Sequence, residues 1–304
     1  MPSREAAALV RPQSAERKTL YCKKRHAGDI LLRSLIYLSA GITVVALAGI
    51  LCYILANGLP YISWQFLSTA YSETNAALKG ILPMIINTLY IVVITLLIAT
   101  PIGISSAIYL TQYAKQGKLV RAIRFTTEVL SGIPSIIFGL FGYTVFCVLF
   151  RLETSILAGC LTMTLCILPT IVRTTEESLL SVPISYKEGA MALGAGKLRV
   201  ILGIVLPCAI PGVLTAVILA MGRIVGESAA LIFTSGLAYN MPKEVFGHMM
   251  GSGRTLTLHL YQTAMNANTP DAFQIAFATA SVLLILVFLL NLLAGLLSRA
   301  FRRA

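Results

Sequence analysis

Apolar runs of membrane-crossing length alternate with short polar stretches along this chain. A hydrocarbon core about 30 Å thick takes roughly 20 helical residues at about 1.5 Å each. Such runs lie at 30–56, 81–113, 125–150, 155–172, 201–233 and 272–297. The pattern predicts six spans. The second and fifth exceed the required length, so they are expected to tilt, kink or protrude; the fourth is the shortest. Asn57-Gly58-Leu59-Pro60 signals a turn after the first span. Pro101-Ile102-Gly103 predicts a kink late in the second, and Ser131-Gly132-Ile133-Pro134-Ser135, Gly139 and Gly142 interrupt the third. Backbone groups freed by Pro and Gly in lipid must be satisfied by neighbouring protein or a wet cavity. Ser131 and Ser135 are therefore candidates for a pathway lining, with close helix packing as the other reading. No internal repeat is visible.

Composition agrees with this: 57% of residues are apolar, 12% are charged and the mean hydropathy is +0.83. A net charge of +12 raises nucleic acid as a partner, but the placement of the basic residues argues against it. Lys and Arg concentrate in alternate polar segments: the N-terminal tail, 114–124, 173–200 and the C-terminal tail. The opposite set holds only Lys79, Arg151, Lys243 and Arg254. Positive residues remain on the cytoplasmic side, so both termini are predicted inside. Residues 1–29 read as a polar, basic tail without fixed structure, with Lys23-Lys24-Arg25 attractive to anionic membrane lipid. Residues 30–80 read as a first span and outer loop, 81–299 as the functional core, and 300–304 as a second tail. Trp64, Tyr61, Phe66 and Tyr71 in the outer loop fit interfacial anchoring. Six cysteines without a CxxC spacing predict free thiols.

The polar loop 173–200 contains the most telling segment. Ser185 and Glu188 are spaced as a capping box, and Gly194 and Gly196 supply a left-handed stop. The expected product is a helix over 186–193, roughly 12 Å long. Tyr186, Ala190 and Leu193 fall at i, i+4 and i+7 and give it one apolar face. A helix this short is marginal alone, so an apolar face outside the membrane calls for a groove to fill.

Glu188-Gly189-Ala190, Gly194 and Ile204-Val205-Leu206-Pro207 resemble the EAA signature of permeases in ATP-driven, binding-protein-dependent importers. Gly189 stands where the signature usually has alanine, which weakens the helix by about 1 kcal/mol. Further segments are similar to PstA-type phosphate-uptake permeases: 130–142, Pro169-Thr170-Ile171-Val172-Arg173-Thr174-Thr175-Glu176-Glu177, and Gly222-Arg223-Ile224-Val225-Gly226-Glu227. The resemblance runs from about residue 30 to 299. It implies an all-α membrane protein of type I ABC importer permease (MetI-like) architecture, with a cytoplasmic coupling helix at 185–194. It also implies a second, PstC-like permease, PstB-like ATPase subunits that carry ATP and Mg, and an extracytoplasmic PstS-like phosphate-binding protein. Docking on the ATPase then falls to 186–194, with Tyr186, Glu188, Gly189, Ala190, Leu193 and Gly194.

Arg223 and Glu227 are the charges placed deepest in an apolar run, with Glu128 near a span end. A charge at a helix centre costs roughly 2.5–3.5 kcal/mol even on a lenient scale. Their i, i+4 spacing permits a neutralising ion pair. Alternatively they line an anion path: arginine presents a planar donor set suited to phosphate, while Glu227 limits how tightly the anion is held. Arg173 reads either as a positive-inside anchor or, through the resemblance, as a lower gate. Glu176 and Glu177 are expected on a solvated face or paired with Lys187 or Arg199.

Other classes find little support. His26, His248 and His259 lack metal-ligand spacing, and no Walker A sequence is present, so ATP hydrolysis falls to a partner. No cofactor is expected on this chain. The PstC-like subunit and a sulfate or molybdate importer permease remain readings within the class. A secondary transporter would need no ATPase and typically shows two related halves.

Overall fold

The computed structural model describes residues 27–72, 79–239, 241, 245–265 and 271–301. The expected unstructured tail, its lipid-attracting Lys23-Lys24-Arg25, Cys22, His26 and the last three residues lie outside the described residues. The first helix, α1 (Ala27–Gly58), follows the first apolar run. Ser63 starts α2 (Trp64–Ser68) by accepting the Phe66 amide.

Two long helices follow the second and fourth runs. The first, α3 (Leu82–Ile108), carries Pro83 at its start, runs through Pro101, and ends in a π turn at Tyr109–Tyr113. The fourth run, shortest in sequence, becomes the 25-residue α6 (Ile156–Leu180). It is longer than 155–172 because its final turns exchange apolar for charged and hydroxyl residues without losing helical hydrogen bonds. The Ser155 hydroxyl accepts the Ala158 amide and starts the helix. The third run departs most from expectation. Its two arms, α4 (Lys118–Gly132) and α5 (Ser135–Gly142), the latter extended by a π segment at Tyr143–Leu149, meet at 101°. Pro134 has no N–H, and it forces Ile133 out of the helical region to ψ 132°.

Beyond α6 lies α7 (Ile184–Ala192). A short α8 (Lys197–Val200) then leads through a π turn, Ile201–Val205, into α9 (Leu206–Gly226). The fifth run therefore divides: α9 stops at Gly226, and Leu231–Thr234 is a separate turn, α10. The expected loop beyond it contains α11 (Val245–Met249) and α12 (Leu256–Met265). The last helix is α13 (Ala272–Phe301). Five helices have the length and apolarity to cross a membrane, and the bent α4–α5 pair makes a sixth if counted as one span.

The core is built on α3, α6 and α9. Ile91, Ala99, Met163, Ile167, Ile171, Ala220 and Ile224 form one buried cluster with Leu231. Glycine sets the helix spacing where α5 meets α10: a Cβ on Gly139 would stand 2.8 Å from Ala230 Cα. Tyr53, in the last turns of α1, meets Phe277 of α13 edge-on at 5.7 Å. Because α6 and α9 run in opposite directions, the bundle has two distinct ends. One carries α7 over a cluster of Ala107, Leu179, Val182 and Val205. The other gathers the start of α6, α11 and α12.

Candidate functional site

One face of α6 carries a polar stripe. Cys166, Thr170, Arg173 and Glu177 follow at i, i+4, i+7 and i+11, positions that stay within about 60° of one another on a 3.6-residue helix. The stripe opens toward the α7 end: Cys166 is buried, Thr170 is half-buried, and Arg173 and Glu177 are exposed. Arg223 of α9 meets it from the side. Its Nη1 donates to Thr170 Oγ1 at 3.5 Å. Thr170 lies about 21 Å along α6 from its start, so Arg223 acts near the middle of the most buried of the membrane-length helices.

The expected Arg223–Glu227 pair does not form. Among the described residues, Arg223 has no carboxylate within 4.0 Å. The helix ends at Gly226, and Glu227 turns into extended backbone at ψ 126°, out of the i+4 register that pairing needs. Its Oε1 instead accepts the Ala230 amide at 3.2 Å. Gly222 and Gly226 have open space where a Cβ would stand, so no packed neighbour within this chain requires either glycine.

At the α7 end, charges bridge α4 and α6. Arg124 Nε donates to Glu176 Oε1 at 2.6 Å. Arg173 Nε lies 3.2 Å from Glu177, and its Nη1 is 3.9 Å from Glu128. Glu176 and Glu177 thus pair with Arg124 and Arg173, and not with Lys187 or Arg199. The bend at Pro134 lays α4 beside α6 and brings Arg124 within reach of Glu176 and Glu128 within reach of Arg173. They line a cavity of about 290 Å³ with two guanidinium and three carboxylate groups. That balance disfavours a retained anion. Ser131 donates to the Glu128 carbonyl at 2.7 Å and is exposed, while Ser135 opens α5. Neither hydroxyl bonds Arg173 or Arg223.

The segment 185–194 is a helix, but it is not capped as its sequence suggested. It begins one residue before Ser185, on extended Pro183, and no side-chain cap bond forms. Ser185 is thereby inside the first turn, and Glu188 is free of a capping role and exposed. The C-terminal stop is at Gly194, φ +83°, whereas Gly196 is extended at φ −65°. Gly194 N–H bonds the Met191 carbonyl at 2.9 Å and Ala195 N–H bonds the Ala190 carbonyl at 3.1 Å, the paired bonds of a Schellman stop. The apolar face is split. Ala190 packs inward, while Ile184, Tyr186, Met191 and Leu193 are exposed, Leu193 by 91%. Gly189 has open space around it.

The other end holds a buried polar network that the sequence did not reveal. His248 Nε2 lies 2.6 Å from Asn87 Oδ1, and Asn87 donates to the Arg254 carbonyl at 3.0 Å. His259 is fully buried, edge-on to Tyr71 at 4.8 Å. Burial, assisted by Arg254, pushes its pKa down to about 3. Burial likewise lowers His248. No group of three or more potential metal-binding side chains occurs among the described residues.

A family model of binding-protein-dependent transport system inner membrane components matches residues 99–303. A probable ABC transporter permease protein, YqgI of Bacillus subtilis, is 36% identical over 279 residues, spanning 89% of this chain and 95% of that protein. The phosphate transport system permease protein PstA of Haemophilus influenzae is 33% identical over 281 residues, spanning 91% and 95%. In fold, the chain is similar to a permease in the crystal structure of a bacterial alginate ABC transporter in complex with an alginate pentasaccharide-bound periplasmic protein. The TM-score is 0.67 at 16% identity, over 91% of this chain and 96% of that one.

Proposed function

The chain belongs to the family of binding-protein-dependent transport system inner membrane components, and from that membership we propose that it forms half of a translocation pathway for inorganic phosphate. It is an all-α ABC importer permease. The observation that carries the phosphate reading is Arg223, a guanidinium in the last turn of α9 beside the middle of α6, bonded to Thr170 and, among the described residues, without a carboxylate partner. A cation left unneutralised in an apolar span is costly, and a passing oxyanion supplies the missing charge with geometry that suits arginine. The likeness to the Haemophilus influenzae permease supports phosphate as that oxyanion.

In this reading Thr170, Arg173 and Glu177 continue the path toward the α7 end. The acidic surplus there disfavours retention, so the anion leaves once that end opens. The concentration of Lys and Arg in alternate polar segments, the α7-bearing loop among them, supports a cytoplasmic side for this end and for both termini. The exposed Ile184, Tyr186, Met191 and Leu193 dock in a cleft of an ATPase subunit, which binds ATP and Mg. A PstC-like permease completes the pathway, and a PstS-like binding protein delivers phosphate from outside. Moving such a two-state device from one side almost fully to the other takes about 5.5 kcal/mol of differential binding, hence firm docking of α7.

The test is uptake of radiolabelled phosphate by the four-component complex in proteoliposomes, with sulfate and molybdate as competitors. Phosphate uptake that requires internal ATP and resists both competitors is expected. Transport that proceeds without the ATPase, or that prefers another oxyanion, would overturn the reading.

A further inference from the structure

The end of α9 that carries Arg223 is tied to α12 by the Thr257 hydroxyl. A helix leaves its last carbonyls without intrahelical partners, and α9 ends at Gly226 with Glu227 already extended. Thr257 Oγ1 lies 3.2 Å from the Val225 carbonyl and 3.2 Å from the Glu227 carbonyl. It is also 3.3 Å from Thr255 Oγ1. Thr255 accepts the Leu258 amide at 3.2 Å, so its own proton is available to Thr257. The Thr257 proton is then shared by the two carbonyls of α9.

The same turn is fixed on its other side by α3. Thr88 accepts the Leu256 amide at 3.0 Å, and Asn87 donates to the Arg254 carbonyl at 3.0 Å. Thr88, Thr255, Leu256 and Thr257 are buried. Two residues beyond Thr257, His259 meets Tyr71 of the 64–72 segment. Thus α12 stands between that segment and the last turn of α9. Arg223 lies within one turn of the bonded carbonyls.

We propose that Thr257 is a positioning residue for Arg223. Its hydroxyl makes the end of α9 move with α12, so that displacement of the 64–72 segment shifts the guanidinium along the α6 stripe. The inference rests on Arg223 lining the phosphate path. The full importer is assembled in proteoliposomes with Thr257→Val or Thr257→Ser, and uptake is expressed per assembled complex against the concentration of phosphate-loaded binding protein. The Val variant is expected to keep its basal ATPase rate and its half-saturation but lose at least tenfold in maximal uptake. Ser restores that rate to within about twofold. Should Val fail to assemble, Thr257→Cys, whose thiol fills similar space with a weaker donor, is expected to give the same selective loss in maximal rate.

Maximal uptake by Val, or by Cys where Val fails to assemble, within twofold of the unsubstituted complex would overturn the proposal. So would equal losses in the Val and Ser variants, which would place the effect in packing and not in the hydroxyl. Failure of the unsubstituted complex to take up phosphate would overturn the transport reading and, with it, this inference.

Discussion

Arg223 donates to Thr170 across the α6–α9 contact at 3.5 Å, with no carboxylate within 4.0 Å of it among the described residues. Removing the acceptor is a sharper probe than removing the charge. A hydrogen bond to a charged group contributes about 1.5–3 kcal/mol. Thr170→Val keeps the shape and is expected to lower phosphate uptake per assembled complex about tenfold, with Thr170→Ser close to the parent. Proteoliposome uptake reads this directly. Equal rates for Val and Ser would remove Thr170 from the path.

The α7 helix gives a prediction that separates folding from coupling. The side chains of Glu188 and Leu193 are exposed and neither makes a capping bond, Leu193 serving as C-cap through its backbone N–H alone. Glu188→Lys and Leu193→Asp are therefore expected to leave stability within about 0.5 kcal/mol while uncoupling ATPase activity from uptake. Gly194→Pro acts differently. At φ +83° a proline cannot be accommodated, so the stop is lost and both stability and coupling fall. Thermal unfolding together with ATPase and uptake assays distinguishes the two patterns.

Gly139 tests the packing of the bent arm. A side chain there meets the Ala230 backbone, with Cα at 2.8 Å and the carbonyl oxygen at 2.9 Å. Neither atom belongs to a flexible side chain that could yield. Gly139→Val is expected to cost about 1–3 kcal/mol, seen as a lower unfolding temperature in detergent. Gly132, with open space around it, serves as the control for alanine substitution.

His259 makes the α12 end sensitive to acid. Its folded pKa of about 3 lies below the ordinary histidine value near 6.5, because burial and then Arg254 oppose its charged form. The unfolded chain binds the proton first, so this contribution is fully present above about pH 6.5 and declines as pH falls toward 3. At pH 5 the loss relative to pH 7 is about 2 kcal/mol. Unfolding measured across this window should show the slope, and His259→Phe should flatten it. His248 shifts in the same direction and adds to any slope that remains.

The membrane character, the number of long apolar helices, the Gly194 stop and the permease family were legible in the sequence. Each depends on composition or local spacing. What failed depended on how distant segments meet. The Ser185–Glu188 spacing is a valid capping box, yet Pro183 offers an earlier start. Arg223 and Glu227 have pairing register only if the helix continues, and it stops at Gly226. The Arg124 partner of Glu176 follows from the bend at Pro134, whose angle no local pattern supplies, whereas Arg173 and Glu177 pair at i, i+4 within α6. The α6 stripe was within reach, because Cys166, Thr170, Arg173 and Glu177 repeat with helical period. Thr257 had no such signal, since its partners are backbone carbonyls 30 and 32 residues away.

The most direct test of the account replaces Arg223 by glutamine and measures ATP-dependent phosphate uptake by the purified, fully assembled importer. With the cation absent, the passing anion loses its charged donor, and uptake per complex is expected to fall at least tenfold while subunit assembly and basal ATPase activity persist. Uptake equal to that of the unsubstituted complex would contradict the central claim that this guanidinium lines the phosphate path.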